Sequence, residues 1–240
     1  MPFLILSDIH ANLEALDAVL ADAAGLYDRI VCLGDLVDYG ADPNPVVDWA
    51  RENLAKIVRG NHDKAAVGLD PIDTYNPAAQ ASSVWTTGAL SPDNRAYLEN
   101  LPRGPLRYEG MDLVHGSPFD EDEYLILPED AAYSLAYLQT SVTFFGHTHL
   151  QGGFMLGAKS TQRILPSWTL RLDSNYFYLV NPGSVGQPRD RDPRAAYAIY
   201  SPEERAVEFR RVTYNVDRAA AKIRAAGLPD FLAARLHEGT

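Results

Sequence analysis

The chain has 240 residues, 46% of them hydrophobic, enough to bury a full core within one domain, the organisation expected over residues 1–240. Its 32 acidic and 21 basic side chains leave a net charge of -11, which disfavours a protein that coats nucleic acid, although a small phosphorylated substrate met by cations in a pocket stays compatible. A single cysteine, Cys32 in the apolar run "RIVCLGD", excludes a disulfide framework and a CxxC-type zinc site and reads as a small core residue.

In chain order, "FLILS" (3–7) reads as a buried strand, and "NLEALDAVLADAAG" places Leu13, Leu16, Val19, Leu20 and Ala23 at helical spacing before a Gly25 stop. "RIVCLGD" is the second strand, "PNPVVDWARENL" a helix with Asn44 as N-cap and Pro45 at its first position, and "KIVRGNHD" a short third strand. This β-α-β-α-β opening predicts parallel strands covered by helices, with sites beyond their carboxyl ends. Residues 64–104 read as a helical excursion, because "NPAAQASSVWTTGAL" and "SPDNRAYLENLP" each open with a cap residue followed by proline. Strands "PLRYE" and "MDLVHG" turn around Gly110, "PEDAAYSLAYLQ" is helical, and Val142–Phe145 is a strand ended by Gly146. Strands follow at "GGFML", "WTLRLD", "YFYLVNPGS", "AAYAIYS" and "AVEFRRVTY", the last two joined by "PEE", and helices near 216–226 and 229–237 finish the chain. The start "MPFLILSD" is too short for a signal peptide and no apolar run approaches membrane length, so a soluble, cytoplasmic protein without a membrane partner is expected.

The polar residues that follow the strands form a pattern. Strand one ends in Ser7-Asp8-Ile9-His10, strand two in Gly34-Asp35-Leu36-Val37-Asp38, strand three in Gly60-Asn61-His62-Asp63, "MDLV" in His115-Gly116, and the strand before Gly146 in His147-Thr148-His149. Of six histidines only His237 lies elsewhere, where it reads as a solvated helix residue. Carboxylates, imidazoles and an amide oxygen suit Mn, Fe, Zn or Ni. If extended geometry continued past Gly146, His147 and His149 would point to one side.

These blocks, "SDIH", "GDLVD", "GNHD", "VHG" and "GHTH", span residues 7–149, and through them the chain resembles the calcineurin-like metallophosphoesterases. The later "NPGSVGQPRDRDP" is similar to a smaller prokaryotic, single-domain branch of that family. The resemblance implies an α/β fold in which two β-sheets form a sandwich flanked by helices. It also implies two metal ions, manganese foremost, bridged by Asp35, with Asp8, His10 and His149 completing one site and Asn61, His115 and His147 the other. On that scheme a hydroxide bridging the ions attacks the phosphorus of a phosphate monoester or diester, a nucleotide or dinucleoside polyphosphate among them. His62 serves as general acid and Asp38 orients its ring. His147 and His149 would then reach opposite ions. A regulatory or scaffold module of the same fold is the alternative, against which the complete ligand set and His62 stand.

One departure from the family is visible. Its protein-phosphatase branch follows GDxxD with Arg-Gly, whereas Tyr39 stands in that position here. Arg189 in "VGQPRD" is the candidate for the missing phosphate-gripping cation, against a surface arginine paired with Asp190 or Asp192. Asn12 is weighed between a helix cap and a phosphate contact. Asn181, Gly183 and Ser184 are read as shaping a turn near the site, Tyr75, Trp85 and Tyr97 as packing residues or a pocket wall, and Asp63 as a helix cap. Metal identity, substrate and oligomeric state stay open.

Overall fold

The computed structural model describes residues 1–158 and 160–240. β1 (Phe3–Leu6), α1 (Leu13–Asp22), β2 (Arg29–Cys32), α2 (Pro43–Asn53) and β3 (Leu54–Ile57) form the alternating opening, with the three strands parallel. α3 (Asn61–Val67), a 3-10 turn (Ile72–Thr74), α4 (Pro77–Ala89) and α5 (Pro92–Glu99) make up the helical excursion. The side chains of Asn76 and Ser91 cap α4 and α5, and a proline follows each cap because its missing N–H would have no partner there.

The remaining elements are β4 (Leu106–Tyr108), β5 (Met111–Leu113), α6 (Pro128–Ser134), β6 (Val142–Phe144), β7 (Gly152–Gly157), β8 (Ser160–Ile164), β9 (Leu170–Arg171), β10 (Phe177–Asn181), β11 (Ala195–Ser201), β12 (Ala206–Val212), α7 (Val216–Ala225) and α8 (Asp230–Glu238). They complete two six-stranded sheets, ordered β3-β2-β1-β11-β12-β9 and β4-β5-β6-β10-β7-β8. This is the mixed α/β, two-sheet architecture with flanking helices.

Strand alternation builds the layers. Phe3, Ile5, Val31 and Leu33 face one way and meet Leu113, Phe144, Tyr178 and Val180 of the second sheet, forming the core between sheets. Leu4, Leu6, Ile30 and Cys32 face the other way, toward Leu16 and Val19 of α1 and Val46 and Val47 of α2. On the outside of the second sheet, Phe154, Leu156 and Leu179 pack with Ala131 of α6. Each such side chain, fully removed from water, contributes about 1.5–3 kcal/mol. β5, β6 and β10 are parallel, as are β1, β2 and β3, so each sheet sends a set of carboxyl ends into loops. The loops of the two sets meet at one edge of the sandwich.

Several boundaries differ from expectation. α2 begins two residues earlier, with Asp42 before it and Pro43 at its start, so Asn44 is not the cap. Asn44 instead donates to Ala89 O at 2.8 Å and accepts from Ser91 N at 2.8 Å, tying α2 to the α4–α5 junction. The helix expected over "PEDAAYSLAYLQ" stops at Ser134, after which Leu135 and Tyr137 bond to carbonyls three residues back and the chain tightens into turns. Only Leu170–Arg171 of "WTLRLD" pairs as strand. β8, polar in "STQRI", carries no hydrophobic alternation and is made a strand by its pairing with β7. Cys32 is fully buried, and burial pushes its thiol up. Among the described residues no helix is long and apolar enough to cross a membrane.

Candidate metal centre

The ligand candidates follow strand ends, in loops except for Asn61, the first residue of α3, and most adopt left-handed backbone conformations. Asp8, His10, Asp35, Asp38, His147 and His149 have φ between 48° and 69°. A non-glycine residue held there costs on the order of 1–3 kcal/mol and persists only where its surroundings over-determine it. They do so here: Asp8 N donates to Gly34 O at 3.1 Å, His10 N to Asp35 O at 3.0 Å, and Gly146 N to His115 O at 2.8 Å. His147 N donates to the Asp8 carboxylate at 3.2 Å, joining the loops of the two sheets.

Two glycines permit the approach. A Cβ on Gly60 would lie 2.0 Å from Asp35 Oδ1, and one on Gly146 would lie 2.0 Å from Ser7 Oγ and 2.9 Å from Asp8 Oδ2. Neither position has room for a side chain.

The side chains gather into two groups that share Asp35. Asp8, His10, Asp35 and His149 bring one potential donor atom each within 4.8 Å of one another, and Asp35, His115 and His147 do the same. Asp35 Oδ2 stands 3.7 Å from His10 Nε2 and 3.3 Å from His115 Nε2, so one oxygen faces both groups. Asn61 joins the second group through Oδ1, 3.1 Å from His115 Nε2, while its amide nitrogen donates to Tyr75 Oη at 3.0 Å.

Backbone carbonyls set the tautomers. Nδ1 of His10, His115 and His149 lies 2.9 Å from Val37 O, 2.8 Å from Leu33 O and 2.6 Å from Gln187 O. A carbonyl only accepts, so Nδ1 carries the proton and Nε2 presents a lone pair. His147 is turned the other way, its Nε2 donating to Asp122 O at 3.0 Å, which leaves Nδ1 for the cluster. Nε2 of His10 and Nε2 of His149 approach to 3.2 Å. Two facing lone pairs repel unless a cation or a shared proton lies between them. Asp8 Oδ2 and Asp35 Oδ2 are buried without a hydrogen-bond partner among the described residues. This donor set fits metal ions and would be costly without positive charge.

Electrostatics point the same way. Burial holds the His10 imidazole well below its usual value. Burial, reinforced by Arg189, lowers His149, and burial with the neighbouring His115 lowers His147 to about 3. Burial opposes charge on Asp8 and Asp35, yet the surrounding imidazoles outweigh it and hold both carboxyls below the ordinary range. His115 is the exception. Burial works against its charge, but the Asp35 carboxylate lifts it to about 10, a proton that an ion would displace. Ionised carboxylates and neutral imidazoles are the forms that donate lone pairs.

His147 and His149 part company. Because both residues turn left-handed, extended geometry does not continue past Gly146. The His149 ring sits 4.9 Å from that of His10, whereas the His147 ring lies 4.8 Å from His115 and stacks on Tyr124 at 3.8 Å.

His62 stands beside the cluster, its backbone N–H donating to Asp35 Oδ1 at 2.9 Å and its Nδ1 to Asp38 Oδ2 at 2.8 Å. Ser83 Oγ of α4 donates to the same Asp38 oxygen. Burial opposes charge on His62, but Asp35 and Asp38 together outweigh it and raise the imidazole above its usual value.

Asn12 is occupied as a brace. Its Oδ1 accepts from Ala15 N at 3.1 Å as the α1 cap, and its Nδ2 donates to Gly186 O at 2.8 Å and Tyr214 Oη at 3.3 Å. Both its amide nitrogen and its carbonyl oxygen are thus engaged within the fold. Arg189 pairs with neither Asp190 nor Asp192, which bond to Arg211 and Arg194. Its guanidinium stands 5.8 Å from the Tyr39 ring centre, and that ring lies 4.6 Å from His10 and 4.5 Å from His62.

Other residues support the site from outside the donor groups. Asp63 does more than cap α3: its carboxylate accepts from Gly60 N, Asp35 N and Leu36 N at 3.0, 2.9 and 2.8 Å, pinning the GDLVD loop. Asn181 donates to Gly146 O and Thr148 Oγ1, and Ser184 to Asp8 O, clamping GHTH to SDIH. Ser83, Tyr75 and Tyr124 reach the site from segments without a motif. Trp85 and Tyr97 pack against apolar clusters.

Comparison with known proteins agrees with this geometry. An uncharacterised protein of Methanocaldococcus jannaschii is 33% identical over 239 residues, covering 98% of this chain and 97% of its own. The crystal structure of a metallophosphoesterase from Sphaerobacter thermophilus superposes with a TM-score of 0.88 at 40% identity, over 100% of this chain and 99% of that one. A hypothetical protein from Pyrococcus horikoshii OT3 has the same fold, with a TM-score of 0.82 at 21% identity over 100% and 98% of the two chains. The profile of the calcineurin-like phosphoesterase superfamily domain matches residues 1–205, and the chain therefore belongs to that superfamily.

Proposed function

We propose that this protein is a metal-dependent phosphoesterase that hydrolyses a phosphate monoester or diester, with His62 as general acid. The observation that carries the reading is the juxtaposition of a proton carrier, His62 backed by Asp38, with a double donor cluster sharing Asp35. Asp8, His10, Asp35 and His149 would hold one ion, and Asp35, Asn61, His115 and His147 a second, with manganese first in expectation and iron, zinc or nickel as alternatives. Ions bound there would supply Lewis-acid polarisation of a phosphoryl oxygen and lower the pKa of water toward about 7.

The chain's own residues supply the rest. Asp38 accepts the Nδ1 proton of His62, fixing the ring so that Nε2 carries a proton to a departing oxygen. Ser83 holds Asp38 in place. The raised His62 value keeps that proton available nearer neutrality than an ordinary histidine would. A cavity of about 470 Å³ lined by Asn61, His62, Tyr39, Tyr75, Tyr124 and His147 opens onto this face and would receive the ester.

The test is metal stoichiometry together with hydrolysis of bis-p-nitrophenyl phosphate and p-nitrophenyl phosphate, with manganese and with chelator. Two ions bound per chain and chelator-sensitive hydrolysis are expected. Two ions bound without hydrolysis of either ester would overturn the reading in favour of a metal-binding scaffold.

A further inference from the structure

The cavity over the metal centre continues into a second one, of about 530 Å³, and the two share Tyr39, Asn76 and Tyr124 as common walls. The second cavity is lined by two guanidinium groups, Arg189 from the loop after β10 and Arg235 from α8. We infer that Arg189 and Arg235 form a subsite for a second phosphoryl group of the substrate, so that the preferred substrate carries two phosphates, one at the metal centre and one at this arginine pair. The inference rests on the phosphoesterase reading of the metal centre and specifies the substrate class for it.

Three observations carry it. First, Arg189 meets no carboxylate among the described residues, although the chain has an excess of acids. Arg189 donates to Gln187 Oε1 at 3.0 Å and leaves its Nε without a partner, while Arg235 gives its Nε to the α-carboxylate oxygen of Thr240 and still lines the cavity with its guanidinium. Nearby arginines are neutralised: Arg194 by Asp192, Arg211 by Asp190, and Arg224 by Asp230. Second, both are half-buried and held on aromatic faces, Arg189 above Tyr39 and Arg235 at 5.1 Å over Phe231. Third, the two cations oppose each other. Burial, reinforced by the charge of Arg189, lowers Arg235 to about 10. Two like charges facing one cavity are unfavourable alone and become favourable around a shared dianion, which accepts planar, paired N–H groups from each guanidinium.

Tyr39 connects the two ends of the arrangement. Its ring centre lies 4.6 Å from that of His10, 4.5 Å from that of His62 and 5.8 Å from the Arg189 guanidinium, so one aromatic ring borders both the cluster and the arginine.

The test is calorimetric binding to the manganese-loaded protein of methylphosphonate, with one phosphonate, and methylenediphosphonate, with two joined by a non-hydrolysable bridge. The wild-type protein should bind the diphosphonate at least about tenfold more tightly, the scale of one charged hydrogen-bonded contact. Arg235→Gln, which keeps much of the stem packed on Phe231, should lose about tenfold in diphosphonate affinity and leave methylphosphonate affinity unchanged. Arg224→Gln, whose partner is Asp230, should behave as wild type. Equal diphosphonate affinity in wild type and Arg235→Gln would overturn the inference, as would equal loss for both ligands. Hydrolysis of bis-p-nitrophenyl phosphate is measured separately on the same preparations. Its absence would sink the phosphoesterase reading while the binding ratio still decides the subsite.

Discussion

Gly60→Ala adds one methyl group and no charge, yet it should disable the centre. The added Cβ would lie 2.0 Å from Asp35 Oδ1, 2.5 Å from Asp35 N and 2.7 Å from Asp35 Cγ, where ordinary contact begins at 3.4 Å. The difference between 3.4 and 2.0 Å requires a separation of about 1.4 Å between the methyl group and the carboxylate oxygen. Asp35 cannot swing aside freely, because Oδ1 accepts from His62 N at 2.9 Å and its own N–H donates to Asp63 at 2.9 Å. The displacement therefore moves the carboxylate shared by both donor groups together with the backbone of His62. Overpacking of this kind costs about 1–3 kcal/mol of stability, and a misplacement of roughly 1 Å at a reacting centre lowers the rate about 100-fold. Metal content by mass spectrometry, hydrolysis of bis-p-nitrophenyl phosphate and thermal unfolding read the three effects. Gly88→Ala is the control: a Cβ there meets no atom within 4 Å and lies inside α4, where alanine gains about 0.5–1 kcal/mol over glycine. A Gly60→Ala protein with wild-type turnover, metal content and melting temperature would refute the argument from close approach.

His62→Ala should retain its metal content and lose at least about 100-fold in turnover, measured by steady-state kinetics beside elemental analysis. Asp38→Asn should shift the basic limb of the rate profile to lower pH. Burial already disfavours the His62 cation, and the substitution removes one of the two carboxylates that raise it, so the acid loses its proton sooner as pH rises. His147→Ala and His149→Ala should weaken different ions, because their rings belong to different donor groups; metal titration giving equal loss of both ions in each variant would contradict that division. Asp63→Ala should destabilise the protein by at least about 2 kcal/mol in urea unfolding, because three backbone N–H groups lose their acceptor.

Much of this centre is legible in the residue order because strand ends are legible. Apolar runs such as Phe3–Leu6 and Val142–Phe144 mark where the backbone leaves the sheet, and the polar residues just beyond can only project from that edge. Helix starts followed by proline were equally visible at Asn76 and Ser91, yet the same cue misplaced the start of α2, where two prolines compete and the earlier one prevails. β8 was not visible because its residues are polar, and it becomes a strand through antiparallel pairing with β7, the strand just before it.

Residue types and their succession determined which groups this protein has for chemistry: carboxylates, imidazoles and an amide, each released at the end of an apolar strand. What they become depends on long-range contacts. His10 and His149 are 139 residues apart and meet at 3.2 Å only because the two sheets close on each other, and Asp38 is held by a serine 45 residues away. The surroundings of Asn12 and Arg235 follow the same way, one from Gly186 and Tyr214 engaging its amide, the other from α8 bringing it to a cavity that Tyr39 and Arg189 also line. Local sequence sets backbone preference over a few residues, whereas protonation, tautomer and the identity of a partner follow from burial and distance in three dimensions, which tertiary packing alone supplies.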